Sequence, residues 1–576
     1  MRASMRTVIL VPWLVVNLAA GSVLAQEPRH ADGNRGAAST ALAAQGASLA
    51  ALRTWLDDYR KGAIRLVKLD HVDADAIAIL EQRLSDVAAI DTLPAAKLLF
   101  EVAGVEPKPG AAKSSTELVD QQRELQPWRV QGMAQKHLRT MRGDDVLAWL
   151  LQMLSSPSLR AQKPSADQKN AAVCLRVLGG HPSLEAQVEL VRACKTMPTE
   201  LRVVAVNAMA KDPTVDLVPT LQDLLRDAEP NVRIAVCNAL GAALQPHVDE
   251  TLGQQPSTDT LQLRDGSIQK LEELLVRDPV WQVRNAAAFA LANMKCKPVV
   301  PALINGLDAE LTRKKDPWAM DVRLHKLLEG LTGQQVVRGG IAPWREFWLK
   351  EGPTFAVRPK VAPGGERAVA DPYEKFFDLE VESDRVLFVL DFSGSMAEPI
   401  TLQTHTTAAG KGVATTKVAV VVSELKKLIV SLPDGALVNV VVFGDDVRVW
   451  RQEGNRPALV KLDDETRDDL LGSFLDSLRP SGATNLYGAL DKALDFGGRG
   501  LHDKYYAAGF DTLYVISDGA PTAGAVVDKD EIRRRVRETN NLRRIAIHCI
   551  TFGAQNDTEF LKALANENGG RHIHVE

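Results

Sequence analysis

The run Val386-Leu387-Phe388-Val389-Leu390 is apolar throughout and bounded by charge, with Asp384 and Arg385 before it and Asp391 after it. A half-buried strand alternates apolar and polar residues. An unbroken apolar run of this length is the mark of a strand covered on both faces. Such a strand needs helices above and below it, and the downstream sequence supplies them. Helical patterns at about Lys417 to Leu432, Thr466 to Leu478, Asn485 to Asp495, Lys529 to Asn540 and Thr558 to Glu567 alternate with further strand patterns. These strands lie at Ala436 to Phe443, Thr512 to Ile516, Ile545 to Phe552 and Arg571 to Val575, and Val447 to Trp450 suits an edge strand. The alternation predicts an α/β doubly wound, mostly parallel sheet over residues 381–576, Rossmann-like in its layers.

In a sheet of this kind, ligands bind beyond the C-terminal ends of the strands. Asp391-Phe392-Ser393-Gly394-Ser395-Met396 follows the first strand, and Ser517-Asp518-Gly519 follows the strand at 512–516. Gly482-Ala483-Thr484-Asn485 precedes a helix. Two carboxylates and three hydroxyls can therefore converge on one crevice. Such oxygens are hard ligands, suited to Mg²⁺, Mn²⁺ or Ca²⁺ and unsuited to zinc. With only two carboxylates the ion stays electrophilic, so an acidic group from a partner can take a water position. Gly394 lets the loop fold tightly.

Residues 381–576 resemble a von Willebrand factor type A domain with an intact metal-ion-dependent adhesion site. The family's Asp-x-Ser-x-Ser loop is Asp391, Ser393 and Ser395, its distant Thr is Thr484, and its distant Asp is Asp518. The flanks Ser481 to Leu490 and Asp511 to Pro521 are similar to the family's corresponding segments. The resemblance implies one divalent ion on these five residues, Mg²⁺ first and Mn²⁺ or Ca²⁺ otherwise, and a protein partner supplying an acidic side chain. Ala397 to Thr416, with Glu398, His405 and Gly410-Lys411-Gly412, is longer than the family usually places after its metal loop. It either shapes partner choice and partly covers the ion or is a floppy insertion. His572 and His574 face one side of the last strand, as a second metal site or as two surface histidines.

From about 139 to 350 the chain repeats itself loosely. Leu201 to Ala208, Val232 to Ala239 and Val283 to Ala290 are similar Ala/Val helices, and their arginines, with Arg323, are spaced by 31, 51 and 39 residues. Helix pairs at such intervals resemble HEAT-like repeats, an all-α solenoid, with a generic helical bundle as the alternative. A solenoid offers a concave surface for further protein contacts. Trp344 and Trp348, at i and i+4, are expected on the packed face of its cap, with a ligand platform as the other reading. Residues 26–138 are Ala-rich and helical in pattern with a polar, disordered start, Glu27 to Ser39. Residues 351–380 have the Pro/Gly composition of a linker.

The first residues set the compartment. Arg2 and Arg6 precede an apolar run from Thr7 to Ala20, and Val23-Leu24-Ala25 closes it with a small residue before Gln26. This is the layout of a secretory signal peptide over residues 1–25, short of the ~20 apolar residues that span a bilayer, with an uncleaved membrane anchor as the other reading. The mature chain is expected outside the cytoplasm: periplasmic, cell-surface or extracellular. The five cysteines are widely spaced in apolar patterns, as buried single thiols are, and form no CxxC pair. A net charge of -4 over 576 residues offers no basic stripe for nucleic acid.

These features predict a non-catalytic, metal-dependent binding or scaffold protein. The alternatives are a metal-dependent hydrolase and a subunit of a metal-chelatase-like complex. The first lacks its motifs: there is no Gly-x-Ser-x-Gly elbow, no phosphate loop and no evident general base. The signal peptide opposes the second.

Overall fold

The computed structural model describes residues 32–68, 71–106, 121, 124–160, 165–211, 213–313, 319–334, 336, 340–357, 374–402, 413–454, 456–496, 509–552 and 558–575. The signal-peptide segment lies outside them. The chain is a helical array followed by an α/β domain with a mostly parallel sheet.

The first described helix, Asp32–Arg60, already covers most of the polar stretch expected to be disordered. Its downstream Ala-rich turns extend the helix backward, because propagation adds a hydrogen bond for each residue fixed. One hydrophobic core runs from Leu52 through the array to Val357, so residues upstream of 139 pack with the repeats rather than apart from them. Small residues set the helix spacing. A Cβ on Gly241 would stand 3.1 Å from Ala290 Cα, so the two helices meet nearly backbone to backbone. All five cysteines are buried and free. Among the described residues no helix is long and apolar enough to cross a membrane.

The four arginines picked out by their spacing form a ladder. They lie on α1 (Thr199–Met209), α2 (Pro230–Val248), α3 (Trp281–Asn293) and α4 (Met320–Thr332). Arg202 pairs with Asp227 at 2.9 Å, Arg233 with Asp278 at 2.8 Å, and Arg284 with Glu310 at 2.6 Å. Each also donates to carbonyls a few residues upstream, such as Arg202 to Met197 O and Arg284 to Asp278 O, both at 3.0 Å. Burying Arg233 and Arg284 is tolerable because Nε and both terminal nitrogens of each have acceptors, whereas Arg202, more exposed, leaves its Nε without one among the described residues. Arg323 breaks the series by leaving the array: it donates to Arg544 O at 2.6 Å and Asp511 O at 2.7 Å, both in the α/β domain.

That domain holds a seven-stranded sheet. Its strands are β1 (Arg385–Asp391), β4 (Leu437–Phe443), β5 (Val447–Val449), β6 (Val460–Lys461), β7 (Thr512–Ser517), β8 (Ala546–Phe552) and β9 (His572–Val575), with the hairpin β2 (Pro399–Leu402) and β3 (Val413–Thr416) outside it. The order is β6-β4-β1-β7-β8-β9, with β5 also on β4. β4, β1, β7, β8 and β9 are mutually parallel, and β5 and β6 add antiparallel edges. Val386, Phe388 and Leu390 face one core with Val421, Leu425 and Leu428 of α5 (Lys417–Ser431). Leu387 and Val389 face the other, with α6 (Leu486–Leu494), α7 (Lys529–Arg543) and α8 (Thr558–Glu567). The helix expected at 466–478 is broken into an α turn, a π turn and a 3₁₀ turn, with Gly472 inside the π stretch.

The linker reading of 351–380 fails at its end. The hairpin Lys375–Phe376/Leu379–Glu380 buries Phe376 against Phe388 and Tyr514, edge to face, so the domain core begins before residue 381.

Candidate metal centre

Asp391, Ser393, Ser395 and Asp518 stand at or just beyond the C-terminal ends of two neighbouring parallel strands. β1 ends on Asp391, paired with Phe443 of β4, and the chain then turns through Ser393 into a single 3₁₀ turn, Gly394–Ala397. Asp391 is fully buried. Its Oδ1 accepts the Ser393 N–H at 2.8 Å, and its Oδ2 accepts the Ser517 hydroxyl at 2.5 Å. Burial pushes its carboxyl up to about 6; the Ser393 and Ser517 hydrogen bonds oppose that rise and the nearby Asp518 charge adds to it. The Ser393 and Ser395 hydroxyls lie 3.2 Å apart, and Ser395 Oγ donates to Asp518 Oδ1 at 2.8 Å. Four of the five predicted residues are thus joined in one run of oxygens.

Thr484 arrives by a backbone route. Gly394 N–H donates to Gly482 O at 2.9 Å and Ser481 N–H to Phe392 O at 2.8 Å, which lays the Thr484 loop beside the Asp391 loop. Thr484 is buried, and its own N–H donates to Thr522 Oγ1 at 2.9 Å. Among the described residues its hydroxyl bonds none of the other four. Gly482 has φ 75°, and a Cβ there would collide with the Asp445 carboxylate, so this crossing requires glycine. Asp445 Oδ1 in turn accepts the Ala483 N–H at 2.7 Å.

A cation already borders this set. Lys417, the first residue of α5, donates from Nζ to Asp518 Oδ2 at 2.8 Å and to Glu398 Oε2 at 2.7 Å. Burial pulls its pKa down, and the two carboxylates more than reverse this, so its net shift is upward. Neutral oxygens and two carboxylates suit a hard divalent cation; among the described residues the ammonium on Asp518 is the group that opposes it.

Comparisons with known proteins agree with this architecture. The model of the von Willebrand factor type A domain matches residues 412–573. The models of HEAT repeats match 188–262 and 268–294. The chain couples HEAT repeats to a von Willebrand factor type A-like domain. The type A match begins downstream of the Asp391 loop, so of the five residues it takes in Thr484 and Asp518. Inter-alpha-trypsin inhibitor heavy chain H2 of Homo sapiens is 28% identical over 214 residues, covering 36% of this chain and 20% of that protein. Heavy chain H1 of Sus scrofa is 28% identical over 187 residues, covering 32% and 18%. The chain therefore spans about a fifth of the length of these curated relatives. A von Willebrand factor type A structure from Catenulispora acidiphila aligns at 18% identity with a TM-score of 0.24, over 34% of this chain and 40% of that one.

The N-terminal edge of the sheet and the length of α7 are docked on the repeats. Asp511, at the start of β7, accepts the Ala319 N–H at 3.0 Å through Oδ2. Lys326 pairs with Glu382, and Arg129 with Asp528. Arg535 lies over the Trp128 ring at 5.2 Å, and Asn238 bonds Asn541 at 2.8 Å. Leu542 of α7 belongs to the core of the array. Part of the array surface expected to meet other proteins is therefore occupied by the chain's own domain. Trp344 is fully buried with its indole N–H on His325 Nδ1 at 2.9 Å, the packed role expected of it. His572 and His574 share one hydroxyl, Thr551 Oγ1, at 2.9 and 3.0 Å. Of the segment Ala397 to Thr416, the ends form the hairpin β2–β3, and residues 403–412, with His405, lie outside the described residues.

Sequence reasoning missed Ser517, Asp445 and Lys417. Ser517 had a signal, as the last strand residue beside Asp518. Lys417 and Asp445 had none, because their partners lie 101 and 38 residues away.

Proposed function

We infer that the type A domain holds a divalent cation, Mg²⁺ before Mn²⁺ or Ca²⁺, on Asp391, Ser393, Ser395, Thr484 and Asp518. The ion serves binding: it presents a coordination position to an acidic side chain of a protein partner. The chain is a non-catalytic scaffold acting outside the cytoplasm. The observation that carries this reading is the hydrogen-bonded run from Asp391 to Asp518 at the C-terminal ends of two neighbouring parallel strands. When bound, the ion supplies a Lewis-acidic point for a carboxylate. The residues do the rest: Ser517 orients Asp391, and the Gly482 crossing sets Thr484 beside the loop.

Several observations favour binding over hydrolysis. Ser393 and Ser395 partner each other and Asp518, and no described histidine reaches them as a base. The similarity to inhibitor heavy chains points the same way.

The test is calorimetric titration of Mg²⁺ into the full chain, wild type and Asp391→Ala. Binding is expected in the first and lost in the second; equal affinity overturns the site. N-terminal sequencing of the mature protein tests the compartment: a start after Ala25 is expected, and an intact Met1 would remove the ground for export.

A further inference from the structure

Lys417 works against the ion just proposed, and it is held in place by more than its side chain. Its backbone N–H donates to Glu398 O at 3.1 Å. Glu398 follows the 3₁₀ turn of the metal loop and opens the hairpin, in which Pro399 pairs with Thr416. Glu398 and Lys417 therefore face each other across the base of β2–β3, and their side chains close it. The two berths of the ammonium differ. The Asp518 side chain is 1% exposed, with its second oxygen held by Ser395, whereas the Glu398 side chain is 63% exposed. One carboxylate is fixed and belongs to the metal set. The other is loose and does not.

We propose that Lys417 is a tethered competitor for the divalent ion, with Glu398 as the berth that receives its ammonium when the ion takes Asp518. The proposal rests on the metal-site reading above. A monovalent ammonium on a ligand oxygen repels a divalent cation at the same carboxylate. The flexible four-carbon stem lets Lys417 give up Asp518 and stay with Glu398, which follows it at the surface. The cost of moving the ammonium lowers the ion's affinity. It also makes the base of β2–β3, beside the metal loop, the element that senses whether the ion is there.

The two partners of the switch have opposite signatures in an Mg²⁺ titration of the chelator-treated full-length protein. Lys417→Met removes the competitor and raises Mg²⁺ affinity on the order of tenfold. Glu398→Gln removes the second berth, leaves the ammonium on Asp518 and lowers affinity about twofold. Lys417→Arg keeps the charge and does not gain. A merely structural Lys417, needed to hold Asp518 in place, predicts weaker binding in Lys417→Met, and that result, or no change, overturns the proposal. So does a gain in Lys417→Arg equal to that in Lys417→Met. If Asp391→Ala abolishes binding while Lys417→Met leaves it unchanged, the competitor fails and the site stands. If Asp391→Ala binds as wild type does, both fail. Melting temperatures in chelator separate a misfolded variant from an altered site, and Lys417→Arg remains informative if Lys417→Met does not fold.

Discussion

The two ends of the parallel sheet carry similar chemistry and put it to opposite use. At the N-terminal ends of the strands, Arg323, Asp511 and the Arg544 carbonyl meet and satisfy one another across the domain boundary. At the C-terminal ends, Asp391, Ser393, Ser395 and Asp518 also meet, but two carboxylates cannot neutralise each other, and among the described residues the cation that meets them is Lys417. Both ends bury polar groups. A closed set of donors and acceptors makes an interface, and a surplus of acceptors makes a site.

Breaking the docked end has the largest expected effect. Arg323→Ala removes two charge-assisted hydrogen bonds, to the Asp511 and Arg544 carbonyls, which among the described residues keep only the Ala546 N–H and a long contact from Asn285, at a cost of about 2–4 kcal/mol. The check is a lower urea midpoint with Mg²⁺ affinity unchanged; a joint loss would mean that the two ends are not independent. Gly482→Ala attacks the other end. The positive φ and the collision with Asp445 cost about 1–3 kcal/mol and displace Thr484, so melting temperature and Mg²⁺ affinity fall together.

A pH titration reads the docked end through His548. Its ring is buried, stacks on Tyr514, and accepts the Arg571 N–H on Nδ1 at 3.1 Å, which requires the neutral form. Burial pulls its pKa down to about 3; Lys326, Arg571 and Arg323 add to the fall and Glu382 opposes it. The unfolded ring takes a proton below about 6.5 while the folded one does not. Its contribution is therefore complete above pH 6.5 and is lost as pH falls toward 3, at up to about 1.4 kcal/mol per pH unit. Unfolding midpoints should show this slope in the wild type and a shallower one in His548→Gln. The smallest effect belongs to Ser517→Ala. Loss of one hydrogen bond to Asp391 costs about 1 kcal/mol in chelator, and the deficit should narrow when Mg²⁺ is added.

The sequence made the sheet legible because a doubly covered strand has few ways to be written, and Val386 to Leu390 is one of them. Asp391, Ser393, Ser395 and Asp518 were legible because each sits at a strand terminus, where topology alone brings loops together. The arginine spacing marked the array, but not that Arg323 faces a different partner from Arg202, Arg233 and Arg284. That difference lies in what is opposite each side chain, and no local pattern encodes it. The same holds for Lys417 and for Phe376, whose place in the core depends on a hairpin within a stretch composed like a linker.

The five buried thiols give the protein a built-in clock. Cys174, Cys194, Cys237 and Cys296 lie in the array and Cys549 lies on β8, each shielded from solvent and none bridged. A thiol reagent can reach them only when the surrounding structure opens, so labelling rates under native conditions measure opening free energies. With four reporters in one region and one in the other, mass spectrometry of a single sample can tell whether the repeats and the sheet open together or in turn.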